Sequence, residues 1–290
     1  MEMLMLTRAC LVLLTLALTA CHTAVKPTAS ADAPFLPAIA DLREVTTVID
    51  EAPRPVLLVL DIDDTLLSTP RIDDGRAFYG SDRWYRWQDA QGEGGKYRVP
   101  CLFPVLQWNS EVLRLEAVQR DAADIINALA ADRAIVTSRG GDQRPGTERE
   151  LAVAGYHLGA PLAGLENVSE LPGKHSPMTY RNGIFMTGGT PKGPALKALL
   201  DKASTAYRSV VMVDDDSKNL RSVADSLAAS SEAAPIGFFG LRYTGIKGEP
   251  VPAPTPAEVM AAQESWLVWK GWMRKYEPER AAKLLNNICK

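Results

Sequence analysis

Residues 56–65 read Val-Leu-Leu-Val-Leu-Asp-Ile-Asp-Asp-Thr, five apolar side chains that stop at three carboxylates. Pro53 and Pro55 bound the run upstream. A short continuous apolar stretch behind a breaker predicts a buried, parallel-type strand. An unpartnered charge is costly to bury, so the strand must end at Asp61 or its acids must meet a cation. The carboxyl ends of strands are where open α/β sheets bind ligands. Asp61 and Asp63, two residues apart in a loop leaving a strand, can both turn toward one site. A polar turn and a calcium loop are the other readings of this stretch. The calcium reading fails because Leu66 stands where the loop needs Gly and Ile72 where it needs a bidentate Glu.

The remaining chain supplies what such a sheet needs. Val112, Leu115, Val118, Ala122, Ile125, Ile126 and Leu129 fall on a helical stripe, predicting one amphipathic helix over 111–131. Ala134 to Val136 is a second apolar strand that runs into Thr137, Ser138 and Arg139. Asn182-Gly183 marks a turn into a strand at 184–186, and Lys192 precedes a helix expected at 194–202. Val210 to Val213 is a bare strand ending in Asp214, Asp215 and Asp216, with a helix expected around 219–229. A last strand is expected at 236–241. Strand and helix alternate, which predicts an α/β fold with a mainly parallel sheet.

Two stretches stand apart from that alternation. Residues 66–110 are rich in Gly, charge and aromatics, with Trp84, Tyr85, Trp87, Tyr97 and Trp108, and read as an inserted cap over the acidic strand end. Residues 251–290 read as a Pro-rich connector and a helix. There Trp266, Trp269 and Trp272 recur every three residues. Their expected job is packing on the domain; an exposed aromatic face for a partner or a membrane is the alternative.

The first 20 residues read as a targeting segment, because Arg8 precedes an apolar run from Ala9 to Ala20 that is short for a membrane span. The end, Leu18-Thr19-Ala20-Cys21, resembles a bacterial lipobox. That resemblance implies cleavage before Cys21 and its lipidation, which anchors the protein in the cell envelope. His22 fits sorting to the periplasmic side of the outer membrane. Plain secretion is the other reading. Residues 21–38, rich in Ala, Thr and Pro, read as a tether, leaving 39–250 as the main domain. Cys101 and Cys289 are the cysteines outside the targeting segment. An oxidising compartment lets them pair, but their separation in sequence gives no ground for expecting their Cα atoms to meet. The net charge of −3 and the lack of a basic stripe give no sign of a nucleic-acid partner.

Four strand ends thus carry polar clusters: Asp61, Asp63 and Thr65; Thr137, Ser138 and Arg139; Lys192; and Asp214 with Asp215. Phosphoryl transfer needs positioning and charge stabilisation above all. Asp61 is the candidate nucleophile and Asp63 the candidate general acid and base. Lys192 is a point charge for phosphate, and Thr137 a hydrogen-bond donor to it. Thr65, Ser138 and Arg139 are candidate substrate contacts; Arg139 fits a neighbouring carboxylate equally well. Carboxylates that face a phosphate need a divalent cation, and an all-oxygen site suits Mg²⁺. Asp61 with one or both of Asp214 and Asp215 is its expected side-chain set, and Asn219 a candidate for orienting the acidic loop. Asp64 and Asp216 are expected to be solvated or structural. The glycines from Gly188 to Gly193 lack the order of a nucleotide phosphate loop.

The set resembles the haloacid dehalogenase-like (HAD) phosphohydrolases, whose motifs are D-x-D-x-T, a Thr or Ser, a Lys and an acidic pair. The resemblance spans roughly residues 56–220. It is closest to exported acid-phosphatase-like members and to a group of uncharacterised bacterial HAD-like proteins. That group shares the Asp-Ile-Asp start, the Gly-Ser-Asp-x-Trp-Tyr stretch at Gly80 to Tyr85, the Thr-Ser-Arg cluster and the Asn-Gly-Ile strand. It implies a three-layer Rossmann-like domain with a small cap, a backbone carbonyl of Asp63 on the metal, and Mg²⁺-dependent hydrolysis of a small phosphorylated substrate through an aspartyl-phosphate. A non-catalytic envelope lipoprotein of the same fold and a phosphotransferase are the rival readings.

Overall fold

A computed structural model of the chain describes residues 37–69, 99–112, 114–157, 161–166, 170–229, 235–246 and 255–289. The strand at Val56–Leu60 (β2) lies at the centre of a seven-stranded sheet, and all five of its residues are buried. Its neighbours are Asp132–Thr137 (β5) and Ser209–Asp214 (β8), both parallel to it. Beyond β8 come Gly237–Tyr243 (β9) and Ala38–Ile39 (β1), and beyond β5 come Ile184–Met186 (β7) and Thr179–Arg181 (β6). Among the described strands of this sheet, only β6, on the edge, runs antiparallel. It turns into β7 through Asn182 and Gly183, both at positive φ. This is the geometry that an Asn-Gly hairpin turn requires.

Alternation along the strands explains why the apolar runs are continuous. Leu58 and Leu60 face one layer, with Val211, Val213 and Ile135, under Val45 and Ile49 of the helix Glu44–Glu51 (α1). Ala122 and Ile126 of the helix Ala122–Ala128 (α3) and Leu151 of the helix Arg144–Val153 (α4) complete that face. Leu57 and Val59 face the other layer, with Val210, Met212 and Phe185. The helices Lys192–Leu200 (α5) and Ser217–Ala228 (α6) cover it through Leu196, Leu199, Leu220 and Val223. Period-two alternation gives each face its own residues, so a strand covered on both sides has no polar position to spare. The protein is therefore an α/β fold in three layers, with a mostly parallel central sheet flanked by helices, of Rossmann-like type.

The single helix expected over 111–131 does not form. The helix Leu102–Val112 (α2) ends there, and α3 begins at Ala122. Between them Glu116–Ala117 (β4) pairs antiparallel with Leu67–Ser68 (β3). The backbone N–H of Leu115 donates to the buried carboxylate of Glu150 (2.8 Å), and that of Val118 donates to the carbonyl of Leu66 (3.1 Å). Both donors are spent on distant partners, so the helical ladder breaks although Leu115 and Val118 still pack on the core. The β3–β4 ribbon is thus the doorway of the segment expected to form a cap. Residues 70–98 of that cap lie outside the described residues, as do the expected signal peptide and tether up to residue 36.

A third cluster lies away from the sheet. The tail forms the helices Pro256–Tyr276 (α7) and Pro278–Leu285 (α8). Trp266, Trp269 and Met273 of α7 and Leu284 of α8 pack on Leu102, Val105 and Trp108 of α2. Cys101 and Cys289 are joined in a disulfide, with Cα atoms 5.2 Å apart. That pairing is one the linear spacing gave no reason to expect.

Candidate functional site

The register of the sheet sets the first contact. Leu60 pairs with Val213, and the N–H of Asp61 donates to the Val213 carbonyl (3.0 Å). Asp61 and Asp214 therefore emerge side by side from adjacent parallel strands. Both are buried, Asp214 completely. Chain order runs outward from β2 to β5 and β7 on one side, then returns to β8 and β9 on the other. The acids thus sit where the direction of winding reverses, at the crevice such sheets use for ligands.

Lys192, the first residue of α5, lies between them. Its Nζ is 2.6 Å from Asp61 Oδ1 and 2.6 Å from Asp214 Oδ2, and it is buried as completely as they are. One oxygen each from Asp61, Asp214 and Asp215 lies within 4.8 Å of the others. Three carboxylates against one ammonium leave two negative charges, the balance a divalent cation would meet. An octahedral Mg²⁺ shell holds its oxygens about 3 to 4 Å apart, so this hard-oxygen set needs little closure to hold one. The donor set and its charge both fit.

Electrostatics agree with that count. Burial pushes the Asp61 carboxyl up to about 7; Lys192 pulls it down, but Asp214 and Asp63 add to the rise. Burial likewise raises Asp214, with Lys192 opposing and Asp215 adding. Burial alone would drive Lys192 toward its neutral form, yet Asp214 and Asp61 outweigh it and hold the ammonium protonated.

The acidic loop is fixed by its own backbone and neighbours. Asp214 Oδ1 accepts the Asp216 N–H (2.9 Å) and Asn219 Nδ2 (3.0 Å). Asp216 caps α6 through the Lys218 N–H (2.8 Å), a structural role. The hydroxyl of Thr65, a buried residue, accepts the N–H of Asp215 (3.0 Å). Thr65 thus ties the loop after β2 to the loop after β8. Asp64 holds the first loop's turn: it sits at φ 57° and accepts the Ser68 hydroxyl (2.8 Å).

Asp63 takes a different direction from Asp61. Its carboxylate is 60% exposed and is gripped by Arg139, Nη2 at 2.5 Å from Oδ1 and Nε at 3.1 Å from Oδ2. The side-chain oxygens that cluster for a cation do not include Asp63. Arg139 is 11% exposed and also donates to the Thr147 hydroxyl on α4 (2.9 Å), which itself donates to the Gln143 carbonyl. Arg139 thus meets a carboxylate, the alternative to a substrate contact that its position left open. Thr147 was missed in the sequence because its helix shows no motif there. Thr137 is fully buried; its hydroxyl accepts the Arg139 N–H (3.3 Å). Ser138 is exposed, and its carbonyl accepts the Gly189 N–H (3.0 Å).

A model for a family described as "Protein of unknown function (DUF2608)" matches residues 38–279. The chain belongs to the DUF2608 family. That match to DUF2608 covers the sheet, the acidic cluster and all of α7, and ends at the start of α8. No curated protein matches the chain. Membership in DUF2608 carries no stated chemistry, and function rests on the residues just described.

Proposed function

We propose that the protein is a Mg²⁺-dependent phosphomonoesterase of HAD-like type, acting through an aspartyl-phosphate on a small phosphorylated substrate. The observation that carries this reading is Lys192 bridging Asp61 and Asp214, with Asp215 beside them, at adjacent parallel strand ends. In this reading Asp61 attacks phosphorus, the phosphorus–oxygen bond of the ester breaks, and the alcohol leaves. Lys192 keeps charge balanced while phosphate oxygens approach two carboxylates. Asp63, exposed at the mouth, gives the leaving oxygen its proton and then takes one from the water that cleaves the aspartyl-phosphate. Arg139 aims that carboxylate. Mg²⁺ held by Asp61, Asp214 and Asp215 would supply further charge neutralisation. Thr137 donates a hydrogen bond from its hydroxyl to a phosphate oxygen.

The lipobox-like sequence ending at Cys21 supports a home in the bacterial cell envelope, anchored by lipid. Among the described residues no helix is long and apolar enough to cross a membrane.

The test is release of p-nitrophenol from p-nitrophenyl phosphate by the purified protein, with Mg²⁺ and with EDTA, beside Asp61→Asn. Release that needs Mg²⁺ and disappears in the variant is expected. Turnover by Asp61→Asn equal to wild type would remove Asp61 as nucleophile.

A further inference from the structure

The inner face of α7 is spent on α2 and α8 through Trp266, Trp269 and Met273. Its outer face carries several large apolar side chains that no described residue covers. Met260 is 62% exposed, Leu267 54% and Val268 73%, with Trp272 and Tyr276 along one edge. Residues 260, 264, 267, 268, 271 and 275 recur at helical spacing, so they form one stripe. Gly271, in the middle of the stripe, faces open space. Five large exposed hydrophobics on one helix exceed the scattered singles of an ordinary surface.

The charge along α7 is segregated, with Glu258 and Glu264 in its first half and Lys270, Arg274 and Lys275 in its second. The molecule as a whole is slightly acidic, with 32 Lys and Arg against 35 Asp and Glu. From Trp266 to Tyr276, however, the chain carries Lys270, Arg274 and Lys275 and no acid. Glu264, one turn earlier, is the acid on the stripe. Lys270 lies over the Trp266 ring and Lys275 over the Tyr276 ring, their charges held next to aromatic faces. Trp272 stacks on Trp269 with centroids 4.7 Å apart, leaving its outer edge at the surface. Aliphatic residues, Trp and Tyr, and flanking Lys and Arg on one helix face are the chemistry of the lipid headgroup boundary.

We propose that the outer face of α7 lies flat on an anionic phospholipid surface. Apolar side chains enter the headgroup boundary, and Lys270, Arg274 and Lys275 meet lipid phosphates. A second copy of the chain is a poorer fit, because it would bring one Glu264 against three cations. The lipid proposed on Cys21 strengthens the argument without being required by it. Fifteen residues lie between Cys21 and Pro37, a span of at most about 58 Å when fully extended, which keeps the body close to the bilayer.

The experiment uses the full-length protein in vesicles with brominated acyl chains, made of phosphatidylglycerol with phosphatidylcholine or of phosphatidylcholine alone. Lipid quenching of Trp fluorescence is the readout. Quenching is expected in the anionic vesicles, at least threefold less in the zwitterionic ones, and at least threefold less in Trp272→Phe. Leu267→Glu with Val268→Glu, both outward-facing, leaves the far-UV spectrum unchanged and removes most of the quenching. Unchanged quenching in that double variant overturns the proposal. So does a dimer in solution that the same variant splits, since the face would then belong to a second copy. Neither readout uses phosphatase activity, so this surface and the catalytic reading can fail separately.

Discussion

Asp61 is asked to be ionised in a place that disfavours ionisation. Burial holds its folded-state value at about 7, above the ordinary 3.8. The folded protein therefore takes up the proton before the unfolded chain does. The stabilisation this brings is complete below about pH 4 and is lost as pH rises through about 7. Metal-free wild type should lose on the order of 4 kcal/mol over that range that Asp61→Asn does not lose. Denaturant melts of both proteins at pH 4.5 and pH 8 in EDTA measure the difference, and Mg²⁺ at pH 8 should shrink it. Equal pH slopes would mean that Asp61 ionises freely. Arg139 allows a second test at this scale. Its fork is occupied by Asp63 and Thr147, so in the proposed reaction it would act on substrate through Asp63. Arg139→Ala should cut kcat about 10- to 100-fold with little change in KM. A rise in KM at constant kcat would restore it as a direct substrate contact.

At the scale of elements, α5 carries the buried Lys192 on its first residue, and its position is set by contact with α6. A Cβ added at Gly193 would meet the Ser222 backbone carbonyl oxygen of α6 at 1.9 Å. Neither helix backbone can yield there without sliding, so Gly193→Ala pushes α5 off α6 and takes Lys192 with it. The expected cost is about 2–3 kcal/mol of stability together with a loss of activity larger than the stability change explains. Thermal melts and turnover on the same preparation check both, and unchanged turnover would show that Lys192 does not depend on this packing. Elements like β2, β8 and α6 were legible in the sequence because their signals are local: bare apolar runs that end in polar clusters and, after β8, a helical stretch. The acidic cluster was legible for the same reason, since each member closes such a run. The break between α2 and α3 was not legible. The stripe from Val112 to Leu129 satisfies a helical period, but Glu150 and Leu66 take the backbone donors that would have continued the helix. Those partners are distant in sequence, and no window over 111–131 contains them. Arg139's grip on Asp63 was hidden likewise, because 76 residues separate them.

On the scale of the molecule, the tail and the segment after the cap behave as one body outside the sheet. Trp108 of α2 meets Trp269 of α7 with centroids 5.4 Å apart, and Arg280 of α8 lies 4.3 Å over the Trp108 ring while pairing with Glu111. The bond between Cys101 and Cys289 closes this body across a sequence separation of 188. Cys101 stands immediately before α2, so the bond fixes the entry of the helix that the tail packs on. Tying so long a loop removes much freedom from the unfolded chain, and its loss should cost about 2–5 kcal/mol. The sheet and its acids are held by their own two clusters, which contain neither cysteine. Reduction, or Cys101→Ser with Cys289→Ser, should therefore loosen α2, α7 and α8 first. Hydrogen exchange should rise in α7 and α8 while β2 and β8 stay protected, and the first thermal transition should fall by several degrees. A uniform rise in exchange across β2, β8 and α7 would instead mean that the tail and the sheet unfold as one cooperative unit.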